Sequence, residues 1–393
     1  MARKLLFLIA DGMGDWPIAA LGNKTILQAA NTPAMDRLAA RGLIGACRTI
    51  PDGMPPGSDV ANMSLLGFDP AANHTGRGAI EAAAQGLALD PDDLVWRCNL
   101  VTVSELAPTG LMRDYSSGHI DTATAAALIA DLKAHLDDAT FTFHAGVQYR
   151  HLLVQKGGGA APEAALGVSP PHDITDKPIA ADLERFASSP RLHALVQAAA
   201  ERLSAAHNTS RATSIWPWGQ GRPLILPDFA TTYGLRGAVV SAVDLVKGLG
   251  RAAGMAVIDV EGATGLLETN YEGKVAAALE FLGQGGDFVF VHLEGPDECG
   301  HGGDVAGKLE AVERFDRRVV APLVAALPAA AFLIACDHLT PLAIRTHSAE
   351  PVPFLLSWQG CGQSSPRLDE ESAARSGLSV AGHELLGWVL GRV

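Results

Sequence analysis

The chain has 393 residues and carries 30 Lys and Arg against 43 Asp and Glu, a formal net charge of −13. That balance argues against a nucleic-acid or anionic-membrane partner, because no basic block could neutralise a run of phosphates, and it points to a small-molecule partner. Five cysteines without paired spacing (Cys47, Cys98, Cys299, Cys336, Cys361) suggest a reduced, cytoplasmic protein, and the short apolar run over residues 5–10 is too brief for a signal core or a membrane span.

From the N-terminus the sequence predicts a strand over residues 4–10, a Gly-rich turn over 11–15, a helix near 33–41 and a short strand near 44–50. Pro33 just inside that helix and Gly42 just past it have the expected asymmetry. A rigid loop over residues 51–57 then delivers Ser58 to an apolar-periodic segment over 59–66. Between Thr75 and about Gly234 the character changes. Strand-like pieces (94–103, 140–143, 151–155), a helix (122–136) and Pro-rich connectors predict an inserted, smaller α+β lobe over residues 75–234. From Ala238 onward helices (241–249, 273–282, 307–327, near 380–390) alternate with strands (255–260, 288–293, 331–336, 352–357). Residues 1–74 and 235–393 are therefore expected to form one discontinuous α/β core, a mostly parallel sheet flanked by helices.

Three predicted strands end in loops rich in Asp and His: Asp11 after the first, Asp297 and His301 after 288–293, and Asp337 and His338 after 331–336, with His347 close behind. Open α/β sheets bind ligands at the carboxyl ends of their strands, so three Asp and three His can converge on one crevice. Singly, a loop Asp is ordinarily a turn or cap residue and a lone His a surface or core residue. Coincidence at three strand ends favours metal. Six ligands without a thiolate exceed one tetrahedral structural zinc and suit two divalent ions such as Mn²⁺, Zn²⁺ or Co²⁺, an arrangement fitted to in-line displacement at phosphorus. Ser58 is the candidate nucleophile, although a serine in that place ordinarily serves as a helix N-cap. Arg77, Arg150 and Arg236 are the candidates for binding the remaining negative charge of a small phosphorylated substrate, with surface ion pairing equally expected for Arg77 and Arg236.

The motifs Ala10-Asp-Gly-Met-Gly-Asp15, Pro56-Gly-Ser-Asp-Val60, Pro296-Asp-Glu-Cys-Gly-His301, Cys336-Asp-His338 and Thr346-His-Ser-Ala-Glu-Pro-Val-Pro353 together resemble the archaeal-type cofactor-independent phosphoglycerate mutases of the alkaline phosphatase superfamily. The similarity covers nearly the whole chain. It implies an alkaline-phosphatase-like core in which Asp297, His301 and His347 bind one divalent ion while Asp11, Ser58, Asp337 and His338 bind the other. Mn²⁺ is the first choice, followed by Zn²⁺, Co²⁺ or Mg²⁺, and no 2,3-bisphosphoglycerate is required. It implies a phosphoserine at Ser58 in the exchange of 3-phosphoglycerate and 2-phosphoglycerate, with the inserted lobe closing to exclude water. By the same resemblance Arg236 helps neutralise the transferring phosphoryl and Arg150 lies in a substrate-facing segment.

One segment departs from that pattern. Where such mutases carry an Asp, two arginines and a third basic residue, this chain reads Asp114-Tyr-Ser-Ser-Gly-His119, which leaves His119 as the substrate-binding candidate there. With residues 58–62 and 216–221, the segment looks closer to a bacterial branch proposed to act as homoserine kinases, which would draw phosphoryl from ATP. A phosphatase or phosphodiesterase would arise if the same site admitted water. A silent metal-binding module, by contrast, would have no chemical need for a serine hydroxyl among the ligands. A homo-oligomer is compatible with this composition.

Overall fold

Strand β1 (Leu5–Ala10) is buried along its whole length, as an unbroken apolar run requires, which demands cover on both faces and a neighbour at each edge. The computed structural model, which describes residues 4–205 and 208–393, supplies the neighbours. The chain divides into two compact units, Met1–His74 with Ile225–Val393, and Thr75–Leu224. Strand β2 (Gly42–Arg48) belongs to the first unit. The second contains β3 (Leu94–Val103), β4 (Met112–Asp114), β5 (Phe141–His144), β6 (Arg150–Gln155) and β7 (Ser214–Gly221). The first unit resumes with β8 (Gly237–Val240), β9 (Ala256–Ile258), β10 (Phe288–Leu293), β11 (Ala331–Ala335), β12 (Val352–Ser357) and β13 (Ser379–Ala381).

The larger sheet has the order β13-β2-β12-β11-β1-β10-β8-β9, and within it only β12 runs against the others. Leu5 pairs with Phe288 on one side and Ala331 on the other, and Ala10 pairs with Leu293. The three central strands thus finish at one level, and the chain segments that follow leave from the same edge of the sheet. The segment expected as one helix over 307–327 runs as helix Val305–Phe315, a π turn Asp316–Val320 and helix Ala321–Ala326. The extra residue aims Asp316 at the Pro33–Ala39 helix, where its carboxylate accepts from the Ala34 and Met35 amides.

In the second unit β3 is central to a small sheet in which every pairing is antiparallel, with β4 and β6 beside it and β5 beyond β6. Strand β7 pairs with its remaining edge; its Pro217 lacks an N–H and is tolerated because β7 is itself an edge strand, and the same proline disguises the segment as a connector. Helices Thr122–Leu136, Ala180–Ala187 and Pro190–Leu203 cover one face, packing Leu128, Phe186 and Val196 into a cluster with Trp96 and Trp216. Among the described residues no helix is long and apolar enough to cross a membrane.

Candidate metal centre

The loop after β1 turns at once, because Gly12 adopts φ +63° and packs so closely on the helix Gly295–Gly302 that a Cβ there would lie 2.9 Å from the Asp297 Cα. Asp11 is thereby brought beside Asp337 and His338, their ligand atoms all within 4.8 Å of one another, and the same holds for Asp297, His338 and His347. His301 joins the second group. Its Nε2 is 3.3 Å from Asp297 Oδ2 and 2.9 Å from His347 Nε2, and His347 Nε2 is 3.4 Å from Asp297 Oδ1. Asp337 and His338 are fully buried, whereas His301 is exposed, so the donors run from the interior to the mouth of the crevice.

Ser58 opens the helix Ser58–Leu65; Gly57, not Ser58, is its N-cap. The hydroxyl is therefore not consumed in capping and lies 3.0 Å from His338 Nε2. All seven expected ligands are thus gathered on one edge of one sheet.

Residues not anticipated as functional hold these groups in place. Asn62, one turn after Ser58, donates from Nδ2 to Asp337 Oδ2 at 2.8 Å and to the Ser58 carbonyl at 3.0 Å. His292, the fifth residue of β10, is 3.1 Å through Nε2 from Asp11 Oδ2 and 3.3 Å through Nδ1 from Ser241 Oγ. Burial pushes His292 down to about 4, so it is neutral and braces one oxygen of Asp11. Lys274 donates to the His292 carbonyl. Lys308, fully buried, donates to the carbonyls of Gly14 and Thr340 and to Asp15 Oδ2, tying the loop of Asp11 to that of His338.

The electrostatics suit divalent cations. Asp11 Oδ1 is buried with no hydrogen-bond partner among the described residues, and burial together with the charges of Asp337 and Asp297 holds its carboxyl well above the usual range. Burial would also raise Asp297, but hydrogen bonds from His301 and His347 hold it well below the ordinary value. The same bond to Asp297 lifts His301 to about 9. Glu294 adds a further acidic group within 4.8 Å of Asp11 and Asp297, pushed up to about 8 by burial. Buried carboxylates this close repel one another unless compensated, and mixed oxygen and imidazole donors are what borderline divalent ions take.

The expected substrate arginines are distributed differently. Arg236 immediately precedes β8, whose Gly237 is level with Phe288 and hence Leu5. It therefore lies at the amino edge of the sheet, roughly 20 Å from the expected metal ligands at 3.3 Å per residue. There its amide donates to Asp287 and its guanidinium to the Gln284 carbonyl, over the Phe281 ring, so the expectation that it meets the transferring phosphoryl is corrected. In the second unit Arg77 begins the helix Arg77–Gln85, Arg150 begins β6 with its guanidinium 5.2 Å over Tyr149, and His119 stands edge-on to Tyr115 and Tyr149.

Known proteins resemble this chain over nearly its whole length. The family profile of 2,3-bisphosphoglycerate-independent phosphoglycerate mutase matches residues 39–209. The chain is 46% identical to the 2,3-bisphosphoglycerate-independent phosphoglycerate mutase of Methanosarcina barkeri, covering 98% of each chain. It is 45% identical to a probable enzyme of the same name from Geobacter sulfurreducens, over 99% of this chain and 100% of that one. Among solved structures, a Pyrococcus horikoshii protein matches with TM-score 0.81 at 30% identity, covering 100% of this chain and 98% of that one. The cofactor-independent phosphoglycerate mutase of Thermoplasma acidophilum matches with TM-score 0.67 at 25% identity, covering 99% of each.

Proposed function

The chain belongs to the 2,3-bisphosphoglycerate-independent phosphoglycerate mutase family, and on that premise we propose that it interconverts 3-phosphoglycerate and 2-phosphoglycerate by passing the phosphoryl group through Ser58. The observation that carries the assignment is the Ser58 hydroxyl, free of capping and 3.0 Å from His338 Nε2 among carboxylate and imidazole donors.

Two divalent cations, Mn²⁺ in our assignment, held by Asp297, His301 and His347 and by Asp11, Asp337, His338 and Ser58, would neutralise the phosphoryl charge and lower the pKa of the serine hydroxyl. The Ser58 hydroxyl gives up its proton as its oxygen attacks phosphorus in line, the bond to the substrate oxygen breaks, and that oxygen takes up one proton in turn to leave glycerate. The adjacent glycerate hydroxyl then gives up a proton and attacks the phosphoserine, and Ser58 is regenerated. Because Ser58 is the first residue of an eight-residue helix, the free amides of that turn favour the phosphoryl dianion. Asn62 holds Asp337 and the Ser58 backbone in register throughout. We assign substrate binding to the Thr75–Leu224 unit, with Arg150, Arg77 and His119 among its contacts, and a cytoplasmic setting accords with five free cysteines.

The test is to incubate the full chain with Mn²⁺ and 3-phosphoglycerate, following 2-phosphoglycerate by NMR and the phosphate on Ser58 by intact mass, beside a sample given homoserine and ATP. Product and phosphoserine are expected in the first. Phosphohomoserine formed in the second, with no 2-phosphoglycerate in the first, would replace the mutase by a kinase on the same site.

A further inference from the structure

His301 is the one expected metal ligand that is exposed, with 37% of its side chain accessible, so packing alone does not fix its ring. It belongs to the last turn of the short helix Gly295–Gly302, which the chain leaves through Gly303 at φ +69°. The ring is held from outside that helix. The Arg345 carbonyl lies 3.0 Å from Nδ1. A carbonyl only accepts, so the Nδ1 proton belongs to that bond, and Nε2 is turned toward Asp297 and His347.

An unusual backbone aims this carbonyl. Arg345 adopts φ +52°, and among the described residues of the first unit only Asn23 shares the left-handed region without being glycine. Asparagine enters that region readily, whereas a long side chain seldom does. The turn over residues 341–345 leads into it. The amides of Ile344 and Arg345 both return to the Pro341 carbonyl, at 3.0 and 2.9 Å, the left-handed residue reverses the chain, and Ser348 then pairs with Leu339. His347 lies between. The guanidinium packs on Gly303, where a Cβ would lie 2.5 Å from Arg345 Nε and 2.7 Å from Cζ. That is the carboxyl end of the Gly295–Gly302 helix, whose last carbonyls favour a cation, so the side chain supports the conformation its own backbone adopts.

We propose that Arg345 is a positioning residue for the outer cation site of Asp297, His301 and His347: its left-handed backbone presents the carbonyl that locks His301 and, two residues on, delivers His347 to the same ion. The assignment rests on the mutase reading above, from which that site comes. A strained conformation persists only where its surroundings over-determine it, and here the strain is spent on forming the site before a cation arrives. Once a cation takes Nε2, the contact of that nitrogen with Asp297 is given up. The Arg345 carbonyl is then the hydrogen bond that still orients the ring.

The test separates backbone from side chain, because glycine takes the left-handed conformation at no steric cost and a β-branched residue is excluded from it. Mn²⁺ is titrated calorimetrically into the full chain freed of metal. Arg345→Gly is expected to bind both ions within about threefold of wild type, and Arg345→Val to bind one of the two about tenfold to a hundredfold more weakly with the other unchanged. Equal losses in both variants would make the guanidinium the active part, and wild-type affinity in Arg345→Val would make the turn irrelevant; either result overturns the proposal. A second measurement needs no variant: by NMR, His301 Hδ1 of the Zn²⁺-loaded wild type is expected to exchange slowly with water, and fast exchange would equally overturn it. Turnover is followed beside these. The expected affinities without any 2-phosphoglycerate would remove the reaction and leave the positioning role standing, whereas a wild type that binds no Mn²⁺ would remove both.

Discussion

The Ser58 hydroxyl faces His338 Nε2 at 3.0 Å, while Nδ1 on the far side of that ring lies 3.3 Å from Thr340 Oγ1. Thr340 directs its own proton to Asp297 Oδ1, so its oxygen accepts from His338 and fixes the ring proton on Nδ1. The Nε2 lone pair is thereby committed to the crevice. Thr340, two residues after His338, thus sets the tautomer that a cation bound at this centre would require.

Replacing Ser58 by Ala should abolish phosphoserine and lower turnover by about a thousandfold or more, with circular dichroism unchanged. Mn²⁺ titration should still show binding, because only one of the donor side chains is lost. Substantial residual turnover would remove Ser58 as the nucleophile.

Thr340→Val keeps the shape but deletes both the donor to Asp297 and the acceptor for His338. We expect Mn²⁺ affinity to fall by about tenfold to a hundredfold, measured by calorimetry, with the melting temperature of the apoprotein little changed. An affinity equal to wild type would mean that the tautomer is set by something else.

Arg236→Met should leave KM and kcat for 3-phosphoglycerate as they are, because the side chain is at the opposite edge of the sheet. Loss of its bond to the Gln284 carbonyl should cost about 1 kcal/mol in urea unfolding. A raised KM with unchanged stability would contradict the position described for it.

His151 is buried in the second unit, its Nδ1 accepting from the Gly146 amide, and burial lowers it to about 4. In the unfolded chain it titrates near 6.5, so as pH falls the unfolded state takes up the proton first. Stability is whole above about 6.5 and is lost between there and about 4, by up to about 3 kcal/mol. Unfolding curves of wild type and His151→Gln across that range should converge as pH drops. Parallel curves would show that His151 does not titrate in this window.

Why some of this was legible in the sequence and some was not comes down to which residues stand at element ends. Asp11, Asp297, Asp337 and their histidines follow unbroken apolar runs, and a run of that kind declares both the strand and the edge where it stops. The supporting groups lie inside elements, where polar residues read as solvent-facing. Yet Lys308 shares the helix face of Ala311, Val312 and Phe315, and Lys274 that of Ala278 and Phe281, so a count at three, four and seven residues would have exposed two buried lysines. His292 carried a similar signal as the lone polar residue of an apolar strand. Arg236 misled because motif resemblance carries no information about which end of a strand a residue occupies. The strand Ser214–Gly221 was masked by Pro217, and Asn62 and Thr340 are ordinary residue types whose meaning depends on partners 275 and 43 positions away.

The position of β1 between β10 and β11 also governs how the molecule comes into being. Leu5 leaves the ribosome long before its partners, since Phe288 and Ala331 lie 283 and 326 residues further along the chain (288 − 5 and 331 − 5). The earliest strand therefore waits, both edges open, for pairings of very long sequence separation, the kind that fold slowly and are prone to misassociation. Asp11 and Ser58 cannot meet Asp337 until translation has passed that point. A chain that stopped before Asp337 would lack the junction at which the proposed cation site is assembled.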